Sequence, residues 1–389
     1  MGHLKDLDKQ HIVNTYARFD VLIQKGKNAT CWDEQGKKYI DFTSGIGVNS
    51  LGFCNDDWTQ AVCEQVKTLQ HISNLYYTTP DITLAEKLTQ ATGYDKVFFA
   101  NSGAEANEGA IKVARKYSFD KYQTQRNVII TLVNSFHGRT VTTLAATGQE
   151  VFHQYFYPFT EGFRYAQAND IESVKQQIDE NVCAIMYEYI QGEGGVLPLE
   201  SDFIQQVAEI CKQNDILLIA DEVQTGIGRT GKLLAGEHFG IRADIVTLAK
   251  GLGGGLPIGA VLCNQKTSKV LGFGDHGTTF GGNPVACAGA NVCINQISDP
   301  AFLQQVVQKA NHIKETLSKV EEVTEISGIG LMMGLELKTK TAKEVAAECL
   351  KRGLLVLTAK TKVRLLPPLT INNQELEEGI QILISVLNQ

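Results

Sequence analysis

The chain has 389 residues, 43% of them hydrophobic and 20% charged, with 43 acidic against 36 basic side chains. That composition is globular, excludes disorder and coiled coil, and at about 150 residues per domain predicts two to three domain-sized units. The net charge of −7 argues against a nucleic-acid coat, which needs a basic excess.

No apolar run approaches the roughly 20 residues of a membrane helix, and the charged N-terminus MGHLKDLDKQ lacks the apolar core of a signal peptide. The nine cysteines include no CxxC pair, and neither HExxH nor a Cys/His knuckle occurs, so no metal site is predicted. Cys183, Cys263 and Cys287 sit among apolar residues as small hydrophobes. The expectation is a reduced, soluble, cytoplasmic protein without nucleic-acid or membrane partners.

In chain order, near-continuous apolar runs at Val97 to Ala100, Val128 to Val133, Val182 to Met186, Ile216 to Ala220 and Ile245 to Ala249 predict strands buried on both faces. Helix-like segments lie between them, for example Ala104 to Tyr117 and Asp202 to Asn214. This alternation predicts an α/β domain with a doubly wound, mostly parallel sheet. From about residue 300, amphipathic stretches (Phe302 to Val320, Thr341 to Arg352) alternate with short strands (Leu331 to Leu337, Leu354 to Leu357, Lys362 to Leu366). That pattern reads as a smaller α+β domain, joined by the N-terminal stretch Cys31 to Phe42.

Ligands of a doubly wound sheet bind beyond the carboxyl ends of its strands. The five predicted strand ends lead in turn into Asn101-Ser102-Gly103-Ala104, Ser135 to Arg139, Glu188 to Gly195, Asp221 to Gln224, and Lys250-Gly251. Five polar or Gly-rich strand ends together point to one site. Ser102 can simply cap a helix, or Ser102, Gly103 and Ala104 can cradle a phosphate on the helix N-terminus. Asp221 can close a turn, or hold a protonated ring nitrogen by a charge-assisted hydrogen bond. Lys250 ends a buried strand, where an ammonium is costly unless paired or reacted, and a desolvated lysine is the nucleophile of Schiff-base chemistry. Arg139 and Arg364 are either structural ion pairs or carboxylate binders, and Glu193 lies where it could pair with Arg364. Tyr16 and Phe136 are either core aromatics or site residues. Gly226 to Gly231 matches GxGxxG, and Gly226 to Lys232 begins a P-loop. Leu233 stands where that motif needs Ser or Thr, and neither match joins a strand directly to a helix, so nucleotide binding is rejected.

The ordered motifs resemble the class III aminotransferases, enzymes dependent on pyridoxal 5'-phosphate that include acetylornithine, ornithine and 4-aminobutyrate aminotransferases. The likeness rests on Trp32 to Gly36 with Tyr39 to Phe42, Asn101 to Ala106, Ser135 to Thr140, Gln191 to Gly195, Asp221 to Gly226, Ala249 to Gly251, His276 to Pro284, and Arg364 with Pro367-Pro368. It runs from about residue 16 to 370. The resemblance implies the fold-type I transferase architecture: a segment 1–50 contributing to the small domain, a large cofactor-binding domain 51–285 and a small domain 286–389. It further implies a homodimer with shared active sites.

On this resemblance Lys250 links covalently to the cofactor, Asp221 holds the pyridine nitrogen, Gln224 contacts the ring hydroxyl and Phe136 stacks on the ring. Ser102, Gly103 and Ala104 bind the phosphate, with Thr279 reaching over from the partner subunit. Arg139 grips the carboxylate remote from the reacting carbon. Arg364 binds the α-carboxylate of glutamate and is neutralised by Glu193 when a terminal amine reacts. Phe53, Tyr189 and Ile46 depart from the commonest family pattern. Ile46 lies near where ornithine aminotransferases carry a Tyr that contacts the free α-amine. Together with Ser44 to Gly52 it favours N2-acetylornithine as donor to 2-oxoglutarate, giving N-acetylglutamate 5-semialdehyde and glutamate by a ping-pong mechanism. Ornithine, succinylornithine, N-succinyl-diaminopimelate and 4-aminobutyrate are the alternative donors, and a non-catalytic pyridoxal-phosphate protein is the alternative outside enzymology.

Overall fold

The computed structural model describes residues 2–389. Seven strands form the central sheet: β1 (Lys96–Ala100), β2 (Val128–Leu132), β3 (Phe163–Ala166), β4 (Val182–Tyr187), β5 (Leu217–Asp221), β6 (Ile245–Leu248) and β7 (Gly259–Cys263). Their spatial order is β1-β7-β6-β5-β4-β2-β3. Neighbours pair in parallel except at β7, which runs antiparallel to both β6 and β1. Every residue of β4, β5, β6 and β7 is buried. Strands covered on both faces need no polar alternation, which is why the sequence shows near-continuous apolar runs there.

The five predicted strands form within about a residue of their expected bounds. The sequence reading left out β3 and β7. The edge strand β3 is only partly buried, so its Phe-Arg-Tyr-Ala gives no clean apolar signal. β7 follows the turn at Gly253 to Pro257, whose Gly and Pro obscure the start of a short run. The helix Gly103–Tyr122 packs Ala106, Ala110 and Ala114 against Ile219, Ile245 and Val261 of the sheet. Those small side chains let the helix lie close, which brings its first turn to the end of β1.

A second sheet, with the strands Val323–Ile329, Met332–Leu337, Lys362–Leu365 and Leu357–Ala359 in that spatial order, is antiparallel throughout. It is accompanied by the helices Pro300–Leu317, Ala342–Lys351 and Asn373–Leu387. The N-terminal strand Lys38–Asp41 pairs with Leu354–Leu355, so the two ends of the chain share a sheet. The helix Pro284–Ile297 packs instead on Asp56–Thr68 and Thr79–Thr92. No helix among the described residues is long and apolar enough to cross a membrane.

Two departures from the family pattern find their place in the packing. Tyr189 is fully buried, stacked on Phe239 with ring centroids 5.4 Å apart and edge-on to Tyr187. Phe53 exchanges backbone hydrogen bonds with Asn28 and covers Gly26, where a Cβ would lie 2.5 Å from its ring.

The GxGxxG stretch rejected as a nucleotide signature has a structural use. Gly228 and Gly231 take positive φ, and between them Arg229 is almost completely buried. Its guanidinium donates to the carbonyls of Leu331 (3.1 Å) and Pro367 (2.5 Å) and to Ser44 Oγ (3.3 Å), and Asp41 supplies the compensating charge. A loop after β5 is thereby fastened to Pro367, just beyond the strand that carries Arg364. Arg229→Met should lower the unfolding free energy by about 3–5 kcal/mol, because it leaves two carbonyls and a buried carboxylate uncompensated. The measurement is the urea midpoint of the protein; a loss within about 0.5 kcal/mol, ordinary for a surface change, would contradict the staple.

Candidate active site

The ends of β1, β2, β4, β5 and β6 converge on a cavity of about 470 Å³. Ser102, Gly103, Ala104, Phe136, Arg139, Asp221, Gln224 and Lys250 all line it, together with His137 and Glu188. Each of the five strand ends singled out in the sequence therefore contributes a wall.

Ser102 caps the helix Gly103–Tyr122, its side chain accepting from Glu105 N at 3.2 Å. The N–H groups of Gly103 and Ala104 precede the first intrahelical bond and stay available to an anion. A Cβ on Gly103 would meet Val223 at 2.7 Å, so only glycine lets the helix start lie this close to the loop after β5. Capping and anion binding are compatible here, because the Ser102 hydroxyl can still donate.

Asp221 ends β5 and is held at both oxygens. Oδ2 accepts from Asn107 Nδ2 and from His137 Nδ1, each at 2.8 Å, and Oδ1 accepts from Val223 N at 3.0 Å. Asn107 is fixed in turn, donating to the His137 carbonyl (2.7 Å) and accepting from Thr247 Oγ1 (2.7 Å). A carboxylate accepts only, so His137 carries its proton on Nδ1; its buried Nε2 has no partner among the described residues. Sequence reasoning assigned no role to Asn107 or His137. The available signal was their placement, one helical turn after Gly103 and directly beside Phe136.

Lys250 opens a short 3₁₀ turn, Lys250–Leu252, after β6, with φ +42°. A left-handed non-glycine residue is strained, and such strain gathers at functional sites. Gly251 follows because a Cβ there would lie 2.4 Å from Ser50 Oγ. No described residue hydrogen-bonds Lys250 Nζ. Burial pushes its ammonium down, against the opposing pull of Glu193 and Asp221. Glu188 moves the other way: burial, then the Asp221 charge, hold its carboxyl well above the ordinary range while it accepts from Phe136 N at 3.0 Å.

Arg364 stands beside the cavity wall. Its side chain is only 3% exposed and donates to Glu193 Oε1 at 2.6 Å and to Gln224 Oε1 at 3.5 Å. Burial alone would push the Glu193 carboxyl up, but Arg364 outweighs it and holds Glu193 below its usual value. Arg364 Nε, like His137 Nε2, is buried with no partner among the described residues. Arg139, by contrast, is exposed on the cavity and makes no hydrogen bond or ion pair with any described residue.

Five residues named from the sequence do not line this cavity in the single chain: Glu193 and Arg364, paired beside its wall, and also Thr279, Tyr16 and Ile46. Thr279 lines a separate cleft of about 430 Å³ with His71, Ser73 and Asn74. Tyr16 is 70% exposed, its ring contacted by Arg18. Ile46 is 42% exposed in a left-handed turn in which Ser44, Gly45, Ile46 and Gly47 all have positive φ; Val48, two residues on, does line the cavity.

The donor set fits pyridoxal phosphate. The N–H groups at a helix N-terminus would hold its phosphate, the rigidly held Asp221 carboxylate would hold its ring nitrogen, and the unpartnered Lys250 amine lines the same cavity. Bound there, the cofactor supplies the electron sink that stabilises a carbanion at the substrate carbon.

The family model "Aminotransferase class-III" matches residues 12–387. The chain is 54% identical to an acetylornithine aminotransferase of Haemophilus ducreyi over 99% of its own length and 98% of that protein. It is 46% identical to one from Caldanaerobacter subterraneus, covering 98% of each. Among solved structures, it superposes on the ornithine aminotransferase of Toxoplasma gondii with a TM-score of 0.94 at 32% identity, covering 99% of this chain and 94% of that one. For the N-acetylornithine aminotransferase of Stenotrophomonas maltophilia the TM-score is 0.86 at 34% identity, covering 98% of both chains. The chain belongs to the class III aminotransferases and depends on pyridoxal phosphate.

Proposed function

We propose that this aminotransferase moves the terminal δ-amino group of N2-acetylornithine to 2-oxoglutarate, giving N-acetylglutamate 5-semialdehyde and glutamate in arginine biosynthesis. The observation that carries the reading is a pair of unlike arginines, Arg139 lining the cavity and Arg364 beside its wall. Arg139 is free, whereas Arg364 is already neutralised by Glu193 at 2.6 Å. A donor with one carboxylate, far from its reacting amine, needs only the free arginine; a dicarboxylic acceptor needs both. The acetylornithine names of the relatives, at 54% and 46% identity, support the choice of donor.

In the first half-reaction Arg139 holds the donor's α-carboxylate and the δ-carbon lies over Lys250. Asp221, fixed by Asn107 and His137, would hold the cofactor's ring nitrogen and favour its protonated form, and Gln224 and Phe136 would orient the ring. Burial disfavours the charged form of Lys250, so its amine, once free of the cofactor, would take the proton of the δ-carbon as base and give it back as acid to complete the transfer. In the second half-reaction Glu193 moves aside, Arg364 takes the α-carboxylate of 2-oxoglutarate and Arg139 its γ-carboxylate. We further propose that the enzyme is a homodimer in which Thr279 completes the phosphate site of the partner, since it lies outside the cavity of its own chain. The nine free cysteines suit the reducing cytoplasm, where we place the enzyme.

The direct test is a half-reaction without any 2-oxo acid. N2-acetylornithine should discharge the visible cofactor band of the holoenzyme faster than ornithine does, and Lys250→Ala should abolish the change. Faster discharge by ornithine would move the assignment to the ornithine branch, and discharge by glutamate alone would refute the donor. Glu193→Ala should lower the ratio of N2-acetylornithine to glutamate half-reaction rates by at least about tenfold, since it strands Arg364 as an unpaired buried charge only when the donor lacks a second carboxylate. An unchanged ratio would refute the exchange of partners at Arg364.

A further inference from the structure

Arg139 differs from the other inward-facing arginines in what compensates its charge. Arg364 has a carboxylate, and Arg229 has carbonyls with a carboxylate nearby. Arg139 has two aromatic rings. Its guanidinium carbon lies 4.1 Å from the Phe152 ring centroid and 5.5 Å from that of Phe136. The rings are 6.0 Å apart and inclined at 77°, so they form a corner around the cation.

Phe152 is not loosely placed. It ends the 3₁₀ turn Glu150–Phe152, and its N–H donates to the Gln149 carbonyl at 3.0 Å. The residues leading into that turn are bonded to the loop that carries Phe136 and Arg139. Gly148 N donates to Ser135 Oγ (3.0 Å), Gln149 Nε2 to the Ser135 carbonyl (3.0 Å), and Asn134 N to the Gly148 carbonyl (2.8 Å). The ring and the arginine it contacts thus flank the short helix Val141–Ala146, in two segments that are cross-braced to each other.

We propose that Phe152 is a specificity-determining positioning residue: with Phe136 it clamps the Arg139 guanidinium so that all of its N–H donors remain free for the carboxylate of the amine donor. This rests on the proposed function, which makes Arg139 the carboxylate grip. A ring face attracts a cation without consuming a donor, whereas an acidic partner would occupy the fork that the substrate needs. An exposed arginine also has several rotatable bonds whose freedom would be lost on binding; a clamp removes part of that loss beforehand. The site therefore selects amines that carry a carboxylate at the reach of Arg139, and discriminates against those with an acylated amine of the same length and no acid group.

The test compares N2-acetylornithine with N-(4-aminobutyl)acetamide, which is the same molecule without its carboxylate, on wild-type, Phe152→Leu and Phe152→Tyr holoenzymes. Wild type should prefer the acid in kcat/KM. Phe152→Leu should reduce that preference about two- to fivefold, the scale of a cation–π contact at an exposed site, and Phe152→Tyr should keep it. Calorimetric titration with glutarate should show the same weakening in the Leu variant and none in the Tyr variant. Equal loss for both amines in Phe152→Leu, or a Tyr variant as impaired as Leu, would overturn the clamp and leave Phe152 a packing residue. A wild type indifferent to the carboxylate would overturn the Arg139 reading, and the clamp with it.

Discussion

A buried guanidinium cannot be left alone. Stranding one costs several kcal/mol, and Arg364 lies almost wholly out of water on a central strand of the smaller sheet. Everything around it answers that constraint. Glu193 comes from the Gly-rich loop after β4 to pair with it, and Gln224 from the loop after β5 adds a weaker contact. Arg229 fastens the loop after β5 to Pro367, just beyond the strand that carries Arg364. A carboxylate must always be on Arg364, and whether it is the enzyme's or the substrate's divides the two halves of the proposed reaction.

The second constraint is the sheet. Parallel strands deliver their carboxyl ends to one edge, so five loops that are far apart in sequence meet at one cavity. Within it, each charged group is set by a different device. Asp221 is held by Asn107 and His137, Lys250 by a strained turn over Gly251, and Arg139 by two rings. The cavity thus holds an amine whose pKa burial lowers and, at Glu188, a carboxyl whose pKa burial and the Asp221 charge raise. Such opposed environments equip a site for moving protons.

Much of this was legible in the sequence, because buried parallel strands announce themselves as apolar runs and the residues after them are then candidates by position. Ser102, Asp221 and Lys250 were found that way. What stayed hidden depends on contacts that carry no period. The strand β7 is wholly buried but short and preceded by a Gly- and Pro-rich turn; β3 is a half-covered edge. Asn107 lies on a helix face that any small polar residue could occupy, and only the fold aims it at Asp221. Phe152 stands thirteen positions from Arg139, in a turn with no helical or strand pattern. Arg229 was hidden by its setting, since the same glycines that mimic a nucleotide loop supply the positive φ values around a buried cation.

The most direct measurement of the central claim is a pair of crystal structures of the holoenzyme, one with glutamate and one with N2-acetylornithine bound to the Lys250→Ala variant. With N2-acetylornithine the Arg364–Glu193 contact should stay intact and the substrate carboxylate should lie on Arg139. With glutamate the α-carboxylate should lie on Arg364 and Glu193 should have moved away. Glu193 remaining on Arg364 in both complexes would contradict the account.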